Sequence, residues 1–263
     1  MFRSRLSTVR AFLFDLDGVL TPTAEVHRRA WSRLFTAELE ARGVAPYTEA
    51  DYFRHIDGKP RFDGVRDLLA SRGIELPEGT VDDAPELETV GGLGNRKNAL
   101  FTAELTEHGV AAYPGSIAFL DAAQNSGYQV AVVSSSRNAP AVLAAAGIAD
   151  RFEIVVDGAV AARDGLPGKP APDTYLAGAE RLGLTAADCV VVEDAESGVQ
   201  AGRAGDFGLV LGVDRGVGAE ALIEHGADLV VPDLGELAAD VAAVPAGSSA
   251  AGSSAAESAE ELR

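Results

Sequence analysis

Four short apolar runs in this chain stop abruptly at polar residues, and that pattern constrains the fold more than any other feature. Residues 9–14 give way to Asp15-Leu16-Asp17-Gly18 and residues 129–133 to Ser134-Ser135-Ser136, while residues 152–156 meet Asp157 and residues 189–192 meet Glu193-Asp194. Runs this short, apolar throughout and closed by a polar switch, read as buried strands ending in turns. Helical stretches at 140–146, 172–182 and 197–204 separate or follow the later runs, each beside a Pro start or a Gly stop. Residues 207–213 and 228–231 add two strands around a helix through 220–223. Alternating strand and helix predicts an α/β fold with a doubly wound parallel sheet.

Residues 23–108 interrupt the alternation, because they read as helices without strands. They are expected to form an inserted helical cap on a core made of 1–22 and 109–245. The first helix of the insert, 24–42, sets Val26, Ala30, Leu34 and Ala37 on one stripe and ends at Gly43. Thr23, His27 and Trp31 share a second face at i, i+4 and i+8. Residues 76–94, rich in Gly, Pro and acidic side chains, read as an irregular surface excursion. From residue 246 the sequence AGSSAAGSSAAESAEELR has little apolar bulk and is expected to be a disordered tail.

Composition removes several classes of function. A net charge of −18 opposes nucleic acid binding. No apolar run approaches the ~20 residues of a membrane helix. Asp15 and Asp17 break the first apolar stretch where a secretory signal would be continuous, so a cytoplasmic protein is expected. The single cysteine, Cys189, excludes an internal disulfide or a CxxC site and reads as a core residue. The four histidines form no HExxH pair, so a metal here must be held by oxygen. Among 22 basic residues only Lys59, Lys97 and Lys169 are lysines, each among Gly, Pro or Asn. A compact ammonium with three donors suits phosphate in a way the arginine fork does not always match.

Ligands of open parallel sheets bind beyond the carboxyl ends of the strands, where Asp15 and Asp17, Ser134, Asp157, and Glu193 with Asp194 would gather. Asp15 follows its strand directly and can present a carboxylate to phosphorus as a nucleophile. Asp17 can protonate a leaving oxygen or deprotonate an incoming hydroxyl, and Gly18 turns the chain without filling the pocket. Carboxylates meeting a phosphate dianion need a hard cation between them, and Glu193 and Asp194 suit Mg²⁺. An acidic pair before a helix also fits the helix dipole, and a serine run is often a plain turn. Ser134 to Ser136, before Asn138-Ala139-Pro140, bring hydroxyls and free N–H groups to a helix start, while Lys169 adds positive charge. A lone D-x-D also occurs as the metal site of sugar-nucleotide transferases, but that reading leaves Ser134, Lys169 and Glu193-Asp194 unused.

Asp15-Leu16-Asp17-Gly18, strand-Ser134, Lys169-Pro170 and strand-Glu193-Asp194, in this order, resemble the haloacid dehalogenase-like phosphotransferase superfamily over residues 9–233. Within it, DGVLTPTAEVHRRAW, SSSRNAP and GKPAPD resemble the β-phosphoglucomutase branch. The resemblance implies a Rossmann-like core with a helical cap, and phosphoryl transfer between β-glucose 1-phosphate and glucose 6-phosphate through an aspartyl-phosphate. Mg²⁺ would be the cofactor and glucose 1,6-bisphosphate the activating intermediate. It assigns Asp15 as nucleophile, Asp17 as acid/base, Ser134, Ser135 and Lys169 to phosphate, and Asp15, Asp17, Glu193 and Asp194 to metal. Thr23, His27, Trp31, Gly58, Arg61, Lys97, Ser136, Arg137 and Asn138 fall at substrate-facing positions. The expected partner is a small sugar phosphate, with no nucleic acid or membrane, bound by a monomer. There are departures: Asp57 stands where the branch has a functional lysine, with Lys59 two residues later, and the segments 76–94 and before Lys169 are longer. A sugar-phosphate phosphatase using the same core stays open, as does a non-catalytic sugar-phosphate sensor.

Overall fold

The computed structural model describes residues 2–248. Among them, β1 (Ala11–Phe14), β2 (Gln129–Val133), β3 (Ile154–Val156), β4 (Cys189–Glu193), β5 (Leu209–Val213) and β6 (Leu229–Val231) form one parallel sheet in the order β3-β2-β1-β4-β5-β6. The chain reverses its direction of travel between β1 and β4, which opens a crevice at their carboxyl ends. Val9 and Arg10, expected in the first strand, lie before it, β4 runs one residue past its expected end to Glu193, and the other strands fall inside the expected runs.

Alternate residues of each strand face opposite sides, so the continuous apolar runs serve two cores. Phe12, Phe14, Val130, Val132, Val190 and Val192 pack with α1 (Phe2–Leu6), α6 (Pro114–Asn125), α7 (Ala139–Ala145) and α12 (Ala238–Ala242). Phe12 meets Phe119 and Tyr128 edge-on, with ring centroids 5.0 Å apart in each pair. Leu13, Ala131, Val133 and Val191 pack with α9 (Asp173–Arg181) and α10 (Glu196–Ala204), and Val210 packs with Leu222 of α11 (Ala219–Glu224). Each fully buried Phe or Leu contributes about 1.5–3 kcal/mol relative to an exposed one. Cys189 is buried in the second of these cores, and burial pushes its thiol up to about 12.

Between β1 and α6 the chain leaves the sheet and builds α2 (Thr23–Ala41), α3 (Glu49–His55), α4 (Arg61–Ser71) and α5 (Val90–His108). These enclose their own apolar cluster, including Trp31, Phe35, Tyr52, Leu68 and Leu93. Helix α2 serves two cores: Val26 and Ala30 join the sheet's cluster, while Trp31, Leu34 and Phe35 join that of the helices. That change of partner corrects the single stripe read from the sequence. Ala37 is exposed, and Leu39 is buried near the end of the helix.

The expected excursion 76–94 also ends early, because α5 begins at Val90. Thr89 caps it by accepting from the Gly92 amide, and residues 90–94 are buried. The glycines here are required by close packing. A Cβ on Gly91 would fall 2.0 Å from the Thr80 carbonyl oxygen, and one on Gly92 would fall 2.1 Å from that of Leu87. The expected tail lies outside the described residues from 249 onward. Its first residues are docked, with the Ala246 amide donating to Ser126 O and that of Gly247 to Val9 O, both at 3.0 Å. No helix among the described residues is long and apolar enough to cross a membrane.

Candidate active site

The β1–β4 register aligns Phe14 with Val192, so the next residues, Asp15 and Glu193, emerge side by side at the crevice. The Asp15 amide still donates to Val192 O at 2.9 Å, which fixes the start of the following loop to the sheet. Gly18, at φ +90°, carries that loop past Asp194, where a Cβ would lie 1.8 Å from Asp194 Oδ2. A cavity of about 380 Å³ lies between this edge and the overlying helices.

Lys169 is the buried centre of charge. Its Nζ donates to Asp15 Oδ1 at 2.6 Å, Glu193 Oε1 at 2.5 Å and Val133 O at 3.1 Å. Burial disfavours this ammonium, but Asp15 and Glu193 outweigh that and hold its pKa well above the usual lysine value. Tyr175, which the sequence reading passed over, completes the arrangement. Its hydroxyl donates to Glu193 Oε1 at 3.0 Å, and its ring centroid lies 4.8 Å from Lys169 Nζ. The other Glu193 oxygen accepts from the Asp194 and Ala195 amides at 3.0 and 3.2 Å.

Carboxylate oxygens of Asp15, Glu193 and Asp194 lie within 4.8 Å of one another. Burial raises the Asp15 pKa, with Glu193 and Asp17 adding to it against Lys169, and burial followed by Asp57 raises that of Asp194. Two buried carboxyls driven toward their neutral forms, beside a third, are the surroundings that a hard, oxygen-ligated cation relieves. The acidic cluster therefore fits a metal site. The Asp17 carboxylate, expected among the ligands, is outside this cluster because the overlying helix engages it.

Asp17 Oδ1 accepts from Thr23 Oγ1 and faces His27 Nε2 at 3.5 Å, while Ser134 Oγ lies 3.5 Å from Asp17 Oδ2. Burial alone would raise Asp17, but His27, Thr23 and Lys97 together leave its pKa below the ordinary value. His27 stacks on Phe101 with centroids 4.0 Å apart. Its Nδ1 meets the Nζ of Lys97, which lies 4.9 Å from the Trp31 ring. Trp31 and Lys97 line the cavity and also form the buried backing of His27.

The remaining expected residues divide. Arg61, Arg137 and Asn138 line the cavity, and Arg61 Nε is buried without a hydrogen bond. Burial, followed by the neighbouring Arg137, lowers the Arg61 guanidinium to about 10. Asn138 Nδ2 donates to Asn98 Oδ1 of α5 at 2.7 Å. Ser134 Oγ accepts from the Ser136 amide, and Ser136 Oγ from that of Asn138, so both hydroxyls also shape the turn. Ser135 also lines the cavity, and its hydroxyl donates to Gly58 O at 2.8 Å and so joins the sheet edge to the overlying loop. Ser197 does the same with Asp57 O at 3.0 Å.

Asp157 leaves the expected convergence. Its carboxylate caps α8 (Gly158–Asp164), accepting from the Ala159 and Val160 amides. Lys59 lines the cavity, and its ammonium donates to Asp67 at 2.6 Å. Asp57 is half-buried, and desolvation of its carboxyl, with help from Glu193, pushes it up to about 7 against a hydrogen bond from Tyr52.

Known proteins carry the same organisation. The sequence pattern of the haloacid dehalogenase-like hydrolase family matches residues 9–206. The β-phosphoglucomutase of Mycobacterium tuberculosis is 50% identical over 240 residues, covering 87% of this chain and 91% of the relative. Hexitol phosphatase A of Escherichia coli is 34% identical over 198 residues, covering 74% and 79% of the two chains. The crystal structure of β-phosphoglucomutase from Clostridium difficile superposes with a TM-score of 0.71 over 88% of this chain and 93% of its own, a likeness of fold at 24% identity. With Asp15, Asp17, Ser134, Lys169 and Asp194 assembled at one sheet edge and the family pattern spanning most of the chain, this protein belongs to the haloacid dehalogenase-like hydrolase family.

Proposed function

We propose that this enzyme interconverts β-glucose 1-phosphate and glucose 6-phosphate through a phosphorylated Asp15. The observation that carries this reading is the pair Thr23 and His27, both on α2, converging on Asp17 from the layer above the sheet. An acid/base group held from the overlying helices is active when those helices are seated. Closure over the sugar then keeps water from the intermediate.

In this reading Asp15 carries the phosphoryl group when β-glucose 1-phosphate binds: the sugar's 6-hydroxyl gives its proton to Asp17 and attacks phosphorus, the bond from phosphorus to the Asp15 oxygen breaks, and glucose 1,6-bisphosphate forms. The bisphosphate then presents its other phosphate, the freed Asp15 carboxylate attacks that phosphorus, the bond to the C1 oxygen breaks, and Asp17 returns its proton to that oxygen, leaving glucose 6-phosphate and phosphorylated Asp15. Lys169, bonded to Asp15, opposes the rise that burial imposes on its carboxyl and offsets charge on the transferring group. Asp15, Glu193 and Asp194 would hold Mg²⁺, which supplies positive charge between the carboxylates and the phosphate when bound. Arg61 and Arg137, two neighbouring cations with a free donor, suit the phosphate at the far end of a bisphosphate. Residues 23–108 act as the cap, and glucose 1,6-bisphosphate is the intermediate that the cap retains.

One observation favours a sugar-phosphate phosphatase instead. By the resemblance a lysine would stand at Asp57, and the lysine two residues later, Lys59, is paired with Asp67. The test is incubation with β-glucose 1-phosphate, Mg²⁺ and trace glucose 1,6-bisphosphate, measuring glucose 6-phosphate and free phosphate together. Glucose 6-phosphate without matching phosphate is the expected result, and phosphate alone would establish the hydrolase.

A further inference from the structure

The overlying helices are joined to the sheet by two chain crossings, residues 15–22 going out and 109–113 coming back. Both meet at Arg215, in the turn after β5. Its Nε donates to Gly18 O at 2.9 Å, on the outgoing crossing. Its guanidinium carbon lies 3.9 Å from the ring centroid of Tyr113, on the returning crossing. Its Nη1 donates to Pro232 O at 3.0 Å, directly after β6. One planar cation therefore touches both crossings and the carboxyl edge of the sheet.

The crossings also bind each other. The Tyr113 amide donates to Leu20 O at 2.9 Å and Ser116 Oγ, at the start of α6, to Val19 O at 2.6 Å, while within the outgoing crossing the Gly18 amide donates to Thr21 O at 2.7 Å. Gly18 follows Asp17 directly and is wedged against Asp194, so holding its carbonyl from one side and its amide through Thr21 O from the other fixes the residue to which Asp17 is joined. A rigid fork with donors on two nitrogens can span Gly18 O and Pro232 O while stacking on a ring, which one ammonium cannot do.

We propose that Arg215 is a positioning residue: it clamps both crossings to the sheet and thereby fixes the placement of Asp17 when the overlying helices are seated. This rests on the acid/base role proposed for Asp17. Misplacing a reacting group by about 1 Å can cost about 100-fold in rate. Loosening the clamp is expected to lower kcat by about 10- to 100-fold with KM within about threefold. It should also raise the share of phosphate released as free phosphate.

The experiment compares wild type, Arg215→Ala and Arg215→Lys by amide hydrogen exchange and by the two-product assay. Exchange at the Gly18, Thr21 and Tyr113 amides should quicken by about tenfold or more in both variants, with β1, β2 and β4 retaining their protection. The lysine variant keeps the charge but not the fork, so wild-type behaviour in it would overturn the clamp. Unchanged exchange at the crossings, or exchange raised equally throughout the sheet, would also overturn it. So would an unaltered product ratio with unaltered kcat. If wild type forms no glucose 6-phosphate, the functional reading fails by itself, and the exchange data still decide whether Arg215 holds the crossings.

Discussion

Lys97 donates from Nζ to Nδ1 of His27, on the side of the imidazole opposite Asp17. An imidazole accepting at Nδ1 is neutral with its proton on Nε2, the atom that faces Asp17. Burial lowers the His27 pKa and the charge of Lys97 lowers it further, which agrees with that tautomer. Lys97 thus acts on Asp17 through His27, across 70 residues of sequence.

Burial drives the Lys97 ammonium down to about 7. A lysine whose folded pKa lies below its unfolded value binds fewer protons in the folded state, so stability rises with pH from about 7 toward about 10. Lys97→Met, of similar length and uncharged, is expected to be more stable than wild type at pH 6 by on the order of a few kcal/mol. The gap should shrink by pH 9, as read by urea unfolding at both values. Turnover should fall in the same variant, because His27 is then free to turn or to protonate.

Asp57 has the opposite sign. Its folded pKa of about 7 lies above the unfolded value, so the folded state retains a proton the unfolded chain gives up, and stability falls as pH rises from about 4 to about 7. Without divalent metal, Asp57→Asn should gain on the order of a few kcal/mol over wild type at pH 8 and almost nothing at pH 4. A gain that is independent of pH would show that the carboxyl is not the origin.

Asp15→Asn should abolish turnover, with a loss of at least about 10⁴-fold in kcat. Lys169 retains Glu193 as a partner, so the variant should fold. One of three clustered carboxylates is lost, and Mg²⁺ should raise the Tm of the variant less than that of wild type. Retained activity would remove Asp15 as the nucleophile.

Gly18→Ala tests the packing of the outgoing crossing. The added Cβ meets Asp194 at 1.8 Å on a backbone at φ +90°, so both strain and collision oppose it. A loss of about 2–4 kcal/mol in denaturant unfolding is expected. The displacement of Asp194 should also weaken the stabilisation by Mg²⁺.

Much of this was legible before any coordinates. The strands, their polar ends and the assembly of Asp15, Glu193 and Asp194 follow from apolar runs whose termini carry the chemistry, because a doubly wound parallel sheet leaves one edge for its ligands. The helix bearing Thr23, His27 and Trp31 on one face was legible for the same reason, since a helical period is a local property. Burial patterns that depend on two partners were not. The stripe on α2 shifts at Trp31 because the helix passes from one core to another, and the glycines 91, 92 and 94 look like a loop until their neighbours are known.

The sequence by itself determined the order of secondary structure and the set of chemical groups at the sheet edge, because both depend on short-range periodicity and on residue type. The tertiary structure decided which groups are engaged by one another. It set Asp157 to cap a helix, Lys59 to pair with Asp67, Ser135 to hold Gly58, and Arg215 to bridge two crossings that are distant in sequence. The physical reason is that a polar side chain takes its role from the partner left within hydrogen-bond reach once water is excluded, and that partner is supplied by packing.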